Sequence, residues 1–179
     1  MADFKQKWYV LYTRPRFEAK VAKELTNSGV ICLMPKTSVV KEYRSQRRLV
    51  QLPLFPSYVF VSPGSLSDYY FGLDLKGVLG YVKFGNEIAT VSSQVISNLQ
   101  ILEKRKCAVE LTGEKIATGV MVLICEGPFT GLKCEMVQFK GGRKALVRVN
   151  LLNTNLLLDI DIQKLKVMPS ELSSAAIDC

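Results

Sequence analysis

The spacing of apolar residues changes near residue 106, and this change constrains the fold of the 179-residue chain more than any other feature. Before it, strand-like runs alternate with stretches whose apolar residues recur every three to four positions. After it, apolar residues alternate at period two in short runs between turn residues. Because one continuous element cannot satisfy both periods, the pattern predicts two different domains.

The first part of the chain predicts helices packed on an antiparallel sheet. Residues 8–12 are aromatic and β-branched, and they predict a buried first strand. Pro15 can open a helix, and Phe17, Val21 and Leu25 then share one helical face. The other predicted elements are strands over 31–40, 49–61 and 80–84, a helix over 66–75, and a helix capped by Ser92 or Ser93. This order is typical of an α+β sandwich.

The second part predicts a small β-barrel. Four or five short strands follow one another within about 50 residues, separated by turns such as Gly141-Gly142. A polar stretch between the two patterns predicts a linker. The expected organisation is an α+β domain over 1–106, a linker over 107–117, a barrel over 118–169 and a tail over 170–179.

The positive charge lies almost entirely in the first part. The chain carries a net charge of +8, and residues 1–110 contain 16 basic and 9 acidic residues against 8 and 7 in the remainder. A contact with a polyanion is therefore expected in the first domain. The nearly neutral barrel favours a protein partner.

The residue inventory argues against an enzyme. The chain has no histidine, which removes the usual acid–base and nucleophile pairs, and its five cysteines are too scattered for a zinc site. Gly72 and Gly77 have P-loop spacing, but Val78 and Leu79 replace the required lysine and hydroxyl residue. We expect no cofactor and no metal, and a nuclease that relies on lysine or carboxylate groups is the alternative left open. No apolar run reaches the roughly 18–20 residues that span a bilayer, so a cytoplasmic protein without membrane contact is expected.

Several segments, in order and spacing, resemble the NusG family of transcription factors. Residues 8–12, 54–61 and 77–85 are similar to the NusG N-terminal (NGN) domain. Residues 119–131 and 165–167 are similar to the KOW motif, an SH3-like barrel. The resemblance covers about residues 7–168. Ser57 stands where the housekeeping protein usually has glycine, so the chain most resembles the specialised RfaH and UpxY paralogues.

The resemblance implies a transcription elongation factor or antiterminator that suppresses pausing and termination, at specific operons such as capsular polysaccharide loci. It implies an apolar pocket that binds the clamp helices of the largest RNA polymerase subunit. The side chains assigned to this pocket are Phe55, Tyr58, Phe60, Tyr81 and Phe84. Taken alone, the same rings could instead be core residues.

Basic residues are assigned to nucleic acid by the same resemblance. Arg14, Arg16 and Lys20 are expected to hold the displaced non-template DNA strand through its phosphates. Arg44, Arg47 and Arg48 lie in a polar tip between two predicted strands, where they would touch duplex DNA or RNA. The alternative for this tip is a solvated charged loop.

The barrel is expected to recruit either ribosomal protein S10 or the termination factor Rho, with Phe129 as its exposed contact. The alternative for Phe129 is a ring that closes the end of the barrel. KOW barrels also occur in ribosomal proteins, so the rival function is a general RNA-binding or ribosome-associated protein. That rival predicts a basic barrel, whereas the basic residues here lie in the first domain.

Overall fold

The computed structural model divides the chain into two compact units, residues 1–106 and 107–179. It describes residues 6–43, 46–105, 110–112, 119–125, 130–139, 142–149, 154–159 and 167–169. Within these residues, no helix is both long enough and apolar enough to cross a membrane.

A five-stranded antiparallel sheet organises the first unit. Its central strand pairs along one edge with a single strand and along the other edge with two short strands. The strands are β1 Trp8–Thr13, β2 Ile31–Leu33, β5 Tyr58–Ser62, β6 Val78–Tyr81 and β9 Thr90–Val91, in the order β2-β5-β1-β6 with β9 also paired to β1. Two separate hairpins are β3 Lys36–Tyr43 with β4 Gln46–Pro53, and β7 Lys83–Phe84 with β8 Glu87–Ile88.

In the described part of this unit, three helices accompany the sheet: α1 Glu18–Asn27, α2 Leu66–Asp74 and α3 Ser93–Arg105. The predicted stripe of α1 is confirmed at Val21 and Leu25, which are fully buried in one cluster with Leu11 and Val59 of the sheet. The helix begins at Glu18 and not at Pro15, because Arg16 takes a left-handed backbone with φ of 69°.

Hydroxyl side chains cap the other two helices, as serine does at many helix starts. Ser65 Oγ accepts a hydrogen bond from the Asp68 N–H at 3.1 Å at the start of α2. Ser92 Oγ accepts one from the Val95 N–H at 3.3 Å at the start of α3, which settles the predicted choice between Ser92 and Ser93. Ile96, Leu99 and Leu102, which recur every three residues along α3, are buried.

The strand runs predicted over 31–40 and 49–61 are each divided in two. β2 and β3 are separated at Pro35, and β4 and β5 are separated by residues 54–57. As a result β3 and β4 form a hairpin whose described strands pair with each other and not with the main sheet. The polar tip predicted over 41–48 is shorter than expected, because the strands extend to Tyr43 and resume at Gln46.

The described residues of the second unit form a six-stranded antiparallel sheet. Its strands are β10 Glu110–Thr112, β11 Val120–Ile124, β12 Lys133–Phe139, β13 Gly142–Val149, β14 Thr154–Asp159 and β15 Val167–Pro169, in the order β10-β14-β13-β12-β11-β15. Part of the predicted linker is therefore a strand, since β10 pairs with β14. Successive residues Ala145, Leu146 and Val147 are all buried, so this part of the sheet is covered on both faces.

Candidate functional site

An open groove lies at one end of the main sheet, where β1 ends and β5 begins. Tyr12 and Tyr58 are register partners there, and Tyr12 also pairs with Gly80 of β6, so the three positions share a face of the sheet. The two tyrosine rings lie 5.5 Å apart at 37°. The groove has a volume of about 340 Å³ and is lined by Tyr12, Tyr58, Leu79, Gly80, Tyr81, Val82 and Lys83.

Two large apolar side chains of this groove face solvent. Tyr12 is 43% exposed and Leu79 is 54% exposed. Leu79 is displaced from regular pairing because the register between β1 and β6 shifts at Tyr12 and Thr13, and Gly80 continues with φ of 148°. Exposed apolar side chains that converge on one concave site indicate a docking surface better than single exposed residues do.

Tyr81 belongs to the groove and also to the core. Its register partner is Leu11, so its ring lies on the opposite face of the sheet from Tyr12. There the ring stacks on Tyr69 of α2 at 4.2 Å and 10°, and its hydroxyl donates a hydrogen bond to the Tyr69 carbonyl at 3.0 Å. Burial, reinforced by Tyr69 and Tyr9, raises the pKa of the Tyr81 hydroxyl. Tyr81 therefore joins the groove to α2 and keeps its side chain neutral.

Phe55 and Phe60 do not line the groove. Phe60 is fully buried and Phe55 is 4% exposed, and the two rings meet edge to face at 5.6 Å. Of the predicted pocket residues whose side chains the structure describes, Tyr58 and Tyr81 lie at the groove. The Phe84 side chain lies outside the described residues.

Tyr12 and Leu79 line the groove but are not among the pocket residues that the sequence predicts. The sequence predicts Tyr12 as part of a buried strand, because every residue from 8 to 12 is apolar or aromatic. Alternation along the strand could have identified Tyr12. Tyr12 lies on the same face of the sheet as Tyr58 when β1 and β5 pair in this register. For Leu79 no comparable signal exists, because its exposure depends on a bulge.

The basic residues Arg14, Arg16 and Lys20 are exposed next to this end of the sheet. Arg14 directly follows β1, and its N–H donates to the Gly77 carbonyl at 2.8 Å. Lys20 Nζ lies 3.9 Å from Glu24 Oε1 on α1, so its charge is partly balanced. Arg14 and Arg16 are the better candidates for a phosphate contact.

The two arginines of the β3–β4 hairpin differ in their surroundings. Arg47 is the register partner of Glu42, and its Nε donates to Glu42 Oε1 at 2.7 Å. Arg48, on the opposite face of the ribbon, donates from Nη2 to Gln46 Oε1 at 3.1 Å, a neutral acceptor. Both lie on strand β4 and not in the turn, whereas Arg44 lies outside the described residues.

A hydrogen-bonded corner connects the groove to the turn over residues 14–17, which carries Arg14 and Arg16 and is called the basic turn below. The Ser57 carbonyl accepts from the Thr13 N–H at 2.8 Å, and the Ser57 N–H donates to Glu18 Oε1 at 2.6 Å. Ser57 has φ of 68°, which only glycine adopts without penalty. Glu18 is a buried carboxylate, 4% exposed.

The second unit contains a buried thiol, Cys134, and a buried carboxylate, Glu135. Burial, with a further contribution from Glu135, raises the pKa of Cys134 to about 11. Glu135 Oε2 accepts a hydrogen bond from the Gly119 N–H at 3.0 Å. Phe129, predicted as the partner contact, lies outside the described residues.

Comparison with known proteins identifies one family. A family model described as "Transcription termination factor nusG" matches residues 6–100, more than half of the chain. Among solved structures, Thermotoga maritima NusG is 24% identical, with 86% of this chain and 93% of that chain covered and a TM-score of 0.46. The Spt4:Spt5 complex described as MjSpt4:Spt5, conformation A, is 15% identical, with 92% and 99% covered and a TM-score of 0.31.

The family match spans the main sheet, its helices and the groove. It runs from the residue before Lys7 through most of α3, which ends at Arg105. The chain therefore belongs to the NusG family of transcription factors.

Proposed function

We propose that this chain is a transcription elongation factor that binds RNA polymerase through the groove and catalyses no reaction itself. The observation that carries the proposal is the pair of exposed apolar side chains, Tyr12 and Leu79, beside Tyr58 in one open groove. The occupant we propose is the pair of clamp helices of the largest polymerase subunit. A helix that docks in a groove needs a few large, rigid anchors, and tyrosine supplies apolar area at low entropic cost.

The non-template DNA strand is the second proposed ligand. Arg14 and Arg16 follow Tyr12 in the chain and are exposed beside the groove, so a protein held on polymerase would present them to nearby nucleic acid. Phosphate contacts of this kind give affinity without sequence information. Arg47 and Arg48 on the hairpin are proposed to contact duplex DNA or RNA.

The proposed effect is suppression of pausing and termination at specific operons, such as capsular polysaccharide loci. The specialised role is supported by Ser57, a residue that holds a left-handed backbone where the housekeeping protein usually has glycine. The second unit is proposed to form the KOW barrel and to recruit either ribosomal protein S10 or Rho. The nearly balanced charge of residues 111–179, with 8 basic and 7 acidic residues, favours a protein partner.

The test compares two leucine-sized side chains at opposite ends of one sheet. Leu79 lies in the groove and Ile31, at the start of β2, lies at the other end, and their exposures are 54% and 55%. Leu79→Ala should weaken binding to purified RNA polymerase by about 30-fold if Leu79 is an interface anchor worth about 2 kcal/mol. Ile31→Ala should bind like the wild type. Both changes truncate exposed side chains, so neither should lower stability much.

Transcription across a pause or a terminator provides the functional readout. The wild type should increase readthrough, and Leu79→Ala should lose the increase in parallel with its loss of binding. Equal polymerase binding by the two variants would remove the groove assignment. Co-purification with ribosomes but not with polymerase would favour the ribosome-associated function instead.

A further inference from the structure

The corner around Ser57 uses both backbone polar groups of that residue. Its carbonyl accepts from Thr13 N–H, and its N–H donates to the Glu18 carboxylate at 2.6 Å. The two partners are the last residue of β1 and the first residue of α1, at either end of the segment that connects these elements. Residues 13–18 thus hold Ser57 through both of its backbone polar groups. The φ of Ser57 is 68°, which is unfavourable for a residue with a side chain.

Glu18 is an unusual residue to bury. A carboxylate in the interior is costly unless hydrogen bonds satisfy it, and Glu18 is only 4% exposed. Its position as the first residue of α1 is favourable for a negative charge. Hydrogen bonds from an N–H to a carboxylate are stronger than bonds to a neutral acceptor. Glu18 is therefore well suited to hold Ser57 in its left-handed conformation.

The corner lies where the walls of the groove meet the basic turn. Ser57 precedes Tyr58, and Thr13 follows Tyr12, so the two bonds to Ser57 lie directly beside the paired groove tyrosines. Arg14 and Arg16 lie within the connecting segment. The Arg14 N–H also bonds the Gly77 carbonyl, directly before the strand that carries Leu79.

We propose that Glu18 is a positioning residue that builds the groove and the basic turn into one composite site. By holding Ser57, its carboxylate sets the spacing of the groove tyrosines and the conformation of the turn that presents Arg14 and Arg16. Loss of the Glu18 acceptor then weakens the binding of polymerase and of a single strand together. This inference rests on the proposed function.

The test compares Glu18→Ala with Glu18→Gln. Both variants remove the same negative charge, but glutamine keeps an oxygen that can accept the Ser57 N–H. Removing a negative charge beside Arg14 and Arg16 should by itself strengthen binding to DNA. If Glu18→Ala binds DNA more weakly than the wild type, the loss of charge cannot be the cause, because that loss alone should strengthen binding.

Affinities would be measured for purified RNA polymerase and for a single-stranded DNA oligonucleotide. We expect Glu18→Ala to weaken both by about tenfold, and Glu18→Gln to stay within about twofold of the wild type or to bind DNA more tightly. Val61→Ala is the control for general destabilisation, because Val61 is fully buried near the other end of β5. It should bind both ligands like the wild type despite its lower stability.

A second variant keeps the inference testable if Glu18→Ala does not fold. Glycine at position 57 adopts the left-handed backbone without penalty, so the double variant Glu18→Ala, Ser57→Gly should fold and bind both ligands to within about threefold of the wild type. Wild-type binding by Glu18→Ala, or weak binding by the folded double variant, would overturn the inference and leave the proposed function intact. A wild-type protein that does not bind polymerase would overturn both.

Discussion

Thr13 is a buried polar residue whose hydroxyl has no role in the corner that its backbone helps to form. Its side chain is fully buried, and Oγ1 has no hydrogen-bond partner among the residues that the structure describes. A buried hydroxyl without a partner is destabilising, because water no longer solvates it. Valine has nearly the same shape and favours strands.

Thr13→Val is therefore expected to raise the free energy of unfolding by about 1 kcal/mol. Chemical denaturation of the two proteins would measure the difference, with unchanged polymerase binding as the check that the corner is intact. The Thr13 N–H bond to Ser57 does not depend on the side chain. A loss of stability in the valine variant would mean that the hydroxyl has a partner after all.

At the same scale, the sequence predicted the aromatic residues near the groove but not which of them are accessible. Phe55, Tyr58 and Phe60 lie within six positions, and both faces of this run are apolar, so alternation alone could not assign them. The structure buries Phe55 and Phe60 together and leaves Tyr58 at the groove. The deciding information is the strand register with β1, which depends on residues more than 40 positions away.

The β3–β4 hairpin shows what patterns can predict of an element. The sequence predicts strands on both sides of a polar tip, and β3 and β4 confirm them. The predicted bounds, 31–40 and 49–61, are wrong, because each run is divided in two. The division at Pro35 fits the loss of a backbone donor, whereas the division before Tyr58 depends on the left-handed Ser57. No local propensity marks a serine for that conformation, because tertiary hydrogen bonds hold it there.

The same hairpin makes a prediction about salt dependence. The Arg47 charge is balanced by Glu42 at 2.7 Å, and the Arg48 guanidinium donates to a neutral amide. A plot of the logarithm of the DNA-binding constant against the logarithm of the salt concentration has a negative slope. Arg48→Ala should make this slope less steep by about one, and Arg47→Ala should change it by less. Titrations at several salt concentrations would measure both slopes.

Glu42→Gln is the matched control for this comparison, because it frees Arg47 without removing it. The variant should bind DNA more tightly than the wild type, since one negative charge is lost beside the arginine. Equal slopes for wild type and Arg48→Ala would mean that this face of the hairpin does not contact phosphates.

At the scale of the whole molecule, the described ionisable groups whose pKa is shifted, Tyr69, Tyr81, Cys32 and Cys134, all favour the neutral form. Burial raises the pKa of Tyr81 and Tyr69 in the first unit, and raises that of Cys134 in the second from 9.0 to about 11. The chain has no histidine, so no imidazole titrates near neutral pH. The stability contributed by these groups is therefore complete below their ordinary pKa values and declines as alkali ionises the unfolded chain first.

We expect the free energy of unfolding to fall between about pH 9 and pH 11, with Cys134 contributing a loss on the order of 2 kcal/mol. Denaturation curves across this range would measure the fall. Cys134→Ala should be less stable at neutral pH but should lose less on going to alkaline pH. An equal loss in both proteins would assign the alkaline effect to other groups.

The division of the chain into two units could be predicted from the sequence, because a change in the spacing of apolar residues does not depend on tertiary contacts. The first unit has helices and antiparallel strands, as expected, and the second, where a small barrel is predicted, has an antiparallel sheet. The part that failed is the role of residues 110–112, which read as polar linker. Their strand forms only because β14 offers an edge to pair with, a partner about 45 residues further along.

The β3–β4 hairpin has a further consequence for how such proteins diversify. Its two ends lie side by side, where Lys36 pairs with Pro53 and the Leu54 N–H donates a hydrogen bond to the Pro35 carbonyl at 2.7 Å. A segment whose ends coincide can change in length or sequence while the surrounding domain keeps its geometry. Evolution can therefore replace this hairpin in one gene copy while the main sheet and the groove proposed to bind polymerase keep their geometry.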